Sequence, residues 1–346
     1  MASPRWGILG AARIARQAVV PAIRNAGGEV VVLGCRDRLR GDKIASTLAI
    51  GQVVEGYQAV LESDIDCVYV PLPNSLHCQW TLAALEHGRH VLCEKPLALS
   101  RRQADEMTAK ARSADLLLGE ALMYRHHPRW AVLTSLLGSG RIGAVRQISG
   151  NFSFPLAPGS DYRWEAELGG GALYDVGSYL VSGARLLAGR EPESVTAVAS
   201  FRHLVDENVA FSMLFPGAVD SPGLVASLAC GFSSAESQWL RIVGTDGEIV
   251  IDEPFTAWRG GEAPIRLRAR AGWEEIPSPA ADPYLEMVRA FHRSLATGEP
   301  FPTSGEDGAA TLAVLDALFE SLGGGGHPVT VGVEPAGASF PNQGEP

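Results

Sequence analysis

Short apolar runs alternate with helical patterns through the first third of the chain, and no other feature limits the fold as tightly. Runs at residues 6–9, 30–35, 67–70, 90–93 and 116–119 have the length and apolarity of buried strands. Between them, residues 13–25, 38–48, 75–87 and 101–113 carry helical patterns. Strand and helix in turn predict a parallel, doubly wound sheet, which binds ligands at the carboxyl ends of its strands. Asn25 to Gly28 reads as a helix stop and Ser100 as a helix N-cap.

The rhythm changes after Glu120. A helix begins near Pro128, and β-like runs follow at 145–154, 194–201, 210–215, 224–230, 239–243, 248–252 and 265–269. Short turns join most of them, so they predict a large, mostly antiparallel open sheet in a second α/β domain. Helices are expected at 172–187, 284–296 and 306–322. The expected division is a cofactor-binding domain over 1–120, a substrate-binding and oligomerisation domain over 121–332, and a disordered tail over 333–346.

At 346 residues the chain is long enough for two domains, and its formal net charge of -10 argues against nucleic acid or an anionic membrane as partner. No apolar stretch has the length of a bilayer span. Five cysteines, Cys35, Cys67, Cys78, Cys93 and Cys230, form no C-x-x-C pair and no zinc spacing. An odd number of thiols, three of them in apolar runs, fits a reducing compartment, and the protein is expected in the cytoplasm without a metal.

Trp6 to Ala15 reads as a nucleotide turn between strand and helix. Gly10 makes the tight turn, and Ala12 and Ala15 are small enough for close approach. The amides of Ala11, Ala12, Arg13 and Ile14 would then face a pyrophosphate. At the end of the second strand Cys35 occupies the position where an acid would bind the ribose 2′-hydroxyl of NAD. Arg36 offers a guanidinium suited to a 2′-phosphate, and Asp37 is expected to cap the next helix. NADP is therefore expected over NAD, although a solvated loop arginine is the plainer reading of Arg36.

Two further motifs carry the chemistry. The apolar run Val91-Leu92-Cys93 ends abruptly in Glu94-Lys95-Pro96, which places an ammonium at the ligand edge of the sheet. Gly169-Gly170-Gly171 precedes a helix on which Asp175 and Tyr179 are four residues apart and share a face. The glycines are read as letting the chain pass close to a ligand. A tyrosine beside a lysine ammonium is expected to have its phenolate favoured, which suits acid/base work at a substrate oxygen. Taken singly, Tyr179 is also a half-buried helix tyrosine and Asp175 a first-turn acid.

These motifs, in this order, resemble the Gfo/Idh/MocA family, and the resemblance covers roughly residues 5–330. It rests on residues 6–15, on Pro71-Leu72-Pro73-Asn74-Ser75-Leu76-His77, on Glu94-Lys95-Pro96 and on residues 169–179. It implies that Lys95 contacts the substrate oxygen, with Glu94 and Pro96 placing it, and that Pro71, Leu72, Asn74 and His77 lie along the cofactor. Many relatives carry histidine where this chain has Tyr179. The tyrosine, with Glu120 to Pro128 and Phe152 to Pro155, resembles the branch of NADP-dependent D-xylose dehydrogenases, dimeric dihydrodiol dehydrogenases and deoxysugar 3-ketoreductases. That branch implies Tyr179 as the acid/base group, Asp175 as an orienting acid, and a homodimer or homotetramer built through the C-terminal sheet.

The expected activity is hydride transfer between NADP(H) and a hydroxyl or carbonyl carbon of a sugar-like substrate, with a nucleotide-sugar 3-ketoreductase as the alternative. Tyr124, Arg125 and Arg163 are the candidate substrate residues. Arg125, Arg129 and Arg163 would suit a charged substrate if they face the cleft. His126 and His127 precede a helix, where capping or packing is the common role. A non-catalytic cofactor sensor ranks lower, because Lys95 and an ionisable residue at 179 are both present.

Overall fold

The computed structural model describes residues 3–159, 161–217, 223–256 and 264–332. The expected tail at 333–346 lies outside them. Six strands form one parallel sheet: β1 (Arg5–Leu9), β2 (Glu29–Cys35), β3 (Gln52–Glu55), β4 (Cys67–Val70), β5 (His90–Cys93) and β6 (Leu118–Glu120). Their order is β3-β2-β1-β4-β5-β6, so the winding reverses between β1 and β4. The crevice outside the carboxyl ends of those two strands is where such a sheet binds its ligand. Strand β3 escapes the sequence pattern because it is an edge strand with only Val53 and Val54 half-buried between exposed Gln52 and Glu55.

Helices connect these strands: a π-turn at Ala15–Val19 running into α1 (Val20–Asn25), then α2 (Arg38–Leu48), α3 (Gln58–Leu61), α4 (His77–Glu86) and α5 (Arg101–Ser113). Asp37 caps α2 through the Arg40 amide and Ser100 caps α5 through the Gln103 amide, as the sequence predicts. After α6 (Pro128–Gly138) comes β7 (Val145–Ser153), a π-turn at Leu173–Gly177, and α7 (Ser178–Ala188).

The second sheet adds β8 (Ser194–Arg202), β9 (Val205–Phe215), β10 (Leu224–Gly231), β11 (Ser237–Gly244), β12 (Glu248–Asp252), β13 (Ile265–Ala269) and β14 (Gly272–Ile276) to β7. After α8 (Pro283–Thr297) and α9 (Gly305–Gly323), the two-residue β15 (Val329–Thr330) completes it. The order is β14-β13-β12-β11-β7-β10-β9-β8-β15, antiparallel except for the β7–β10 pair. Strands β14 and β15 were not legible in the sequence, since one is mostly exposed and the other is two residues long. Helices α7 and α9 pack on one face. The other face leaves Val198, Leu214, Val225 and Trp239 exposed.

The last helices return to the first sheet. Trp6 in β1 is fully buried, packs on Phe291 of α8 with ring centroids 5.3 Å apart, and donates its indole N–H to His292 Nε2 at 3.2 Å. Indole only donates, so the His292 proton sits on Nδ1, which meets the Ala26 carbonyl at 3.2 Å. Replacing Trp6 by alanine empties this contact, and the expected loss in urea unfolding is roughly 3–5 kcal/mol. A loss below about 1 kcal/mol would show that α8 does not depend on it.

Candidate active site

Strand β5 ends at Cys93 and delivers Glu94, Lys95 and Pro96 to the carboxyl edge of the sheet. Glu94 accepts a hydrogen bond from the Tyr69 hydroxyl of the neighbouring strand β4. Two residues past the lysine, the Leu97 amide donates to Glu120 Oε1 at 2.8 Å. Lys95 Nζ is thereby aimed at the start of the α7 region. It donates to Asp175 Oδ1 at 2.7 Å and to the Asp175 carbonyl oxygen at 2.6 Å. The π-turn carrying Asp175 widens the helix at this point, a distortion common at functional sites.

Asp175 serves two cations at once. Its Oδ2 accepts from Arg163 Nε at 2.7 Å, and Arg163 Nη1 reaches Asp161 Oδ1 at 3.2 Å. Burial alone would raise the Asp175 carboxyl, but Lys95 and then Arg163 outweigh it and hold it down at about 2. The carboxylate is therefore charged at any physiological pH. An ammonium has three N–H bonds, and two of those on Lys95 go to Asp175. One is not taken by Asp175.

Nζ also lies 5.0 Å from the centre of the Tyr179 ring. The structure thus brings Lys95, Asp175 and Tyr179 together, but through the tyrosine's face. The Tyr179 hydroxyl points to Met123 Sδ at 3.7 Å, within an aromatic cluster of Tyr124, Phe152 and Phe255. The expected favouring of the phenolate is reversed. Burial, reinforced by Tyr284, Glu94 and Asp175, pushes the Tyr179 hydroxyl well above its ordinary value, so it stays protonated.

Several residues named from the sequence are fasteners between loops. Asn74 is buried and donates to the Gly169 carbonyl at 2.8 Å. His77 is fully buried, with Nδ1 2.8 Å from the Pro96 carbonyl and Nε2 2.8 Å from that of Leu72. Both side chains join the loop at Pro71 and Leu72 to the lysine and glycine segments, and neither extends into open space. Gly169 to Gly171 also serve the protein's interior. A Cβ at Gly169 would crowd Leu99 and Asn74, one at Gly170 the Arg163 carbonyl, and one at Gly171 would fall 2.1 Å from Asp206 Oδ1.

The candidate substrate residues are committed as well. Tyr124 is 1% exposed and donates to Ser182 Oγ at 2.8 Å. Arg125 pairs with Asp307 at 3.4 Å, and Arg129 is spent on the carbonyls of Asp252 and Glu253. Arg163 is held by Asp161 and Asp175. His127 accepts from the Arg129 amide as a cap, and His126 stacks on Phe301. Asp161, which holds Arg163 two residues on, and Asp206, whose partner Leu173 is distant along the chain, carry no signal in the sequence pattern.

At the opposite end of the crevice Gly10 adopts φ +104 and its amide donates to the Gly34 carbonyl at 2.8 Å. A side chain there would meet Leu72, so the tight turn needs glycine. Ala11, Ala12 and Ile14 are half-exposed and Arg13 is exposed, leaving the helix start open to a phosphate. Cys35 is buried, so it is Arg36 and Arg40 that reach the surface beside this turn. Arg36 faces the Tyr57 hydroxyl, and Arg40 Nη2 holds the Ala11 carbonyl at 3.2 Å.

Residues 4–121 match an oxidoreductase family with an NAD-binding Rossmann fold, and residues 130–250 match a GFO/IDH/MocA C-terminal domain. The chain belongs to the Gfo/Idh/MocA family. It is 34% identical to the D-xylose 1-dehydrogenase (NADP(+)) 2 of Haloferax volcanii, over 91% of this chain and 96% of that protein. It is also 34% identical to the dTDP-3,4-didehydro-2,6-dideoxy-alpha-D-glucose 3-reductase of Actinomadura kijaniata, over 91% of this chain and 94% of the reductase. The crystal structure of a 3-ketoreductase from that organism, in complex with NADP and TDP-benzene, superposes with a TM-score of 0.86 at 32% identity. The match covers 92% of this chain and 98% of the reductase.

In this Gfo/Idh/MocA chain Asp175 is the group on which the site's charge balance turns. Asp175→Asn removes the buried carboxylate that Lys95 and Arg163 share and is expected to cost on the order of 3 kcal/mol at neutral pH. A carboxyl held low in the fold stabilises above its unfolded value of about 4 and loses that stabilisation as pH falls toward about 2. The difference between wild type and variant should therefore shrink as pH falls from 5 to 2 in urea titrations. A gap that does not change with pH would contradict the pairing.

Proposed function

We propose that this protein is an NADP-dependent oxidoreductase that interconverts a hydroxyl and a carbonyl on an uncharged sugar or sugar-like polyol. The observation that carries the reading is Lys95 at the carboxyl edge of β5, gripped twice by Asp175 with one N–H left over. The bound nicotinamide supplies or accepts the hydride. Lys95 donates its remaining N–H to the substrate oxygen and stabilises charge developing there. Tyr179, kept protonated by its surroundings, is the proton donor in reduction, and in oxidation it takes the substrate proton only after giving up its own. Asp175 orients the lysine and keeps it charged.

For the cofactor, the Gly10 turn and the amides at residues 11–14 suit a pyrophosphate. Arg36, with Arg40 beside it, suits a 2′-phosphate. The solved 3-ketoreductase holds NADP, and the D-xylose enzyme is named for it. The dTDP-sugar reductases among the relatives favour a nucleotide-linked substrate as the second reading. The first is preferred because Arg125, Arg129 and Arg163 are all engaged within the protein, so none is spare for a diphosphate.

We assign the cofactor-binding domain to residues 1–120 and the substrate domain to 121–332, and the open sheet face bearing Val198, Leu214, Val225 and Trp239 to a subunit interface. Among the described residues no helix is long and apolar enough to cross a membrane.

Nicotinamide absorbance with NADP and a panel of aldoses and trans-diols tests the activity. Turnover is expected on a free sugar and lost in Lys95→Ala and Tyr179→Phe, with NADPH binding retained in both. Full activity in either variant would remove that residue from the chemistry, and turnover only on a nucleotide sugar would favour the second reading. Arg36→Ala should weaken NADP on the order of tenfold or more while sparing NAD, through loss of a charge-assisted contact. Equal losses for both cofactors would contradict that role.

A further inference from the structure

We propose that Asp206 is a positioning residue for catalysis: reaching from β9, its carboxylate fixes the first turn of the helical segment that carries Asp175. This rests on the reading of Lys95 and Asp175 as the reacting centre.

The first amides of a helix lack internal partners, and the common remedy is a side chain just before the helix. Here the residues before it are glycines, which have no side chain to offer. The remedy comes instead from a different sheet. Asp206 is 3% exposed, its Oδ2 accepts from the Leu173 amide at 2.7 Å, and the Ala172 amide also faces it. Burial pushes the carboxyl up to about 7 against the pull of those amides. A buried acid retained here is compensated by the positive end of a helix and by charge-assisted bonds.

Gly171 completes the fit. It adopts φ +119, and its missing side chain is what admits the carboxylate. On the other flank the Tyr174 hydroxyl donates to the Leu99 carbonyl at 2.6 Å, tying the same turn to the segment after Lys95. The turn is thus pinned from both sheets, and Asp175 follows only two residues after Leu173. A small shift of the start would move the carboxylate that grips Lys95. Misplacement of a reacting group by about 1 Å is enough to cost a factor on the order of a hundred in rate.

The test uses the full chain with Asp206→Asn and Asp206→Ser, which remove the charge while leaving one acceptor. Three quantities are read: kcat with D-xylose and NADP, NADPH affinity by fluorescence, and hydrogen–deuterium exchange of peptides covering 172–179. The expected result is kcat lower by on the order of 10–100-fold, unchanged NADPH affinity, and faster exchange confined to those peptides. Unchanged exchange at 172–179, or faster exchange with full kcat, would overturn the proposal. So would failure of both variants to fold, since the carboxylate would then be a requirement of the whole domain. If the wild type is silent on D-xylose, the substrate reading is at fault, and the exchange data alone decide whether Asp206 holds the turn.

Discussion

One buried carboxylate organises this molecule. Asp175 sits between an ammonium from the parallel sheet and a guanidinium from the loop before the glycines. Asp175 is the one carboxylate that both cations share, and its removal leaves Lys95 without its ion-pair partner. The Lys95–Asp175 contact therefore joins the parallel sheet to the helical segment that packs on the second sheet. The lysine is held at the ligand edge because Asp175 is there to receive it, and Asp175 is there because the helical segment begins where it does.

The surrounding contacts follow from that requirement. Asn74 and His77 close the loop at Pro71 onto the lysine and glycine segments through backbone carbonyls. Glu120 steadies the chain after Pro96 and is itself pushed up to about 8, first by burial and then by Asp307. Burial therefore favours its neutral form. Tyr179 is likewise kept neutral among aromatic rings. The site thus carries its charge on the ion pairs of Asp175 with Lys95 and of Arg163 with Asp175 and Asp161, while burial favours the neutral forms of Glu120 and Tyr179.

The alternation of strands and helices made the parallel sheet legible, because buried strands leave continuous apolar runs at regular spacing. Lys95 was legible because a lysine cannot continue such a run. Strands β3 and β14 were not, since exposed edges carry no such pattern. Asp175 and Tyr179, close in sequence, were legible as neighbours, and Lys95 Nζ meets both of them. The surroundings that folding brings alongside these residues were not legible. Tyr179 lies over the lysine by its ring and is protonated by burial, and the glycines make room for Leu99, Arg163 and Asp206. Arg125 and Arg163 look like free cations in the sequence because Asp307 and Asp175 are distant along the chain or out of register with them.

A double-mutant cycle of Lys95→Ala and Asp175→Asn on kcat/KM tests most directly whether these two groups act as one unit. If Asp175 works by holding the lysine, the double variant loses little more than Lys95→Ala alone, and the coupling exceeds about 2 kcal/mol. Losses that simply add would show that Asp175 and Lys95 act independently and would contradict the account.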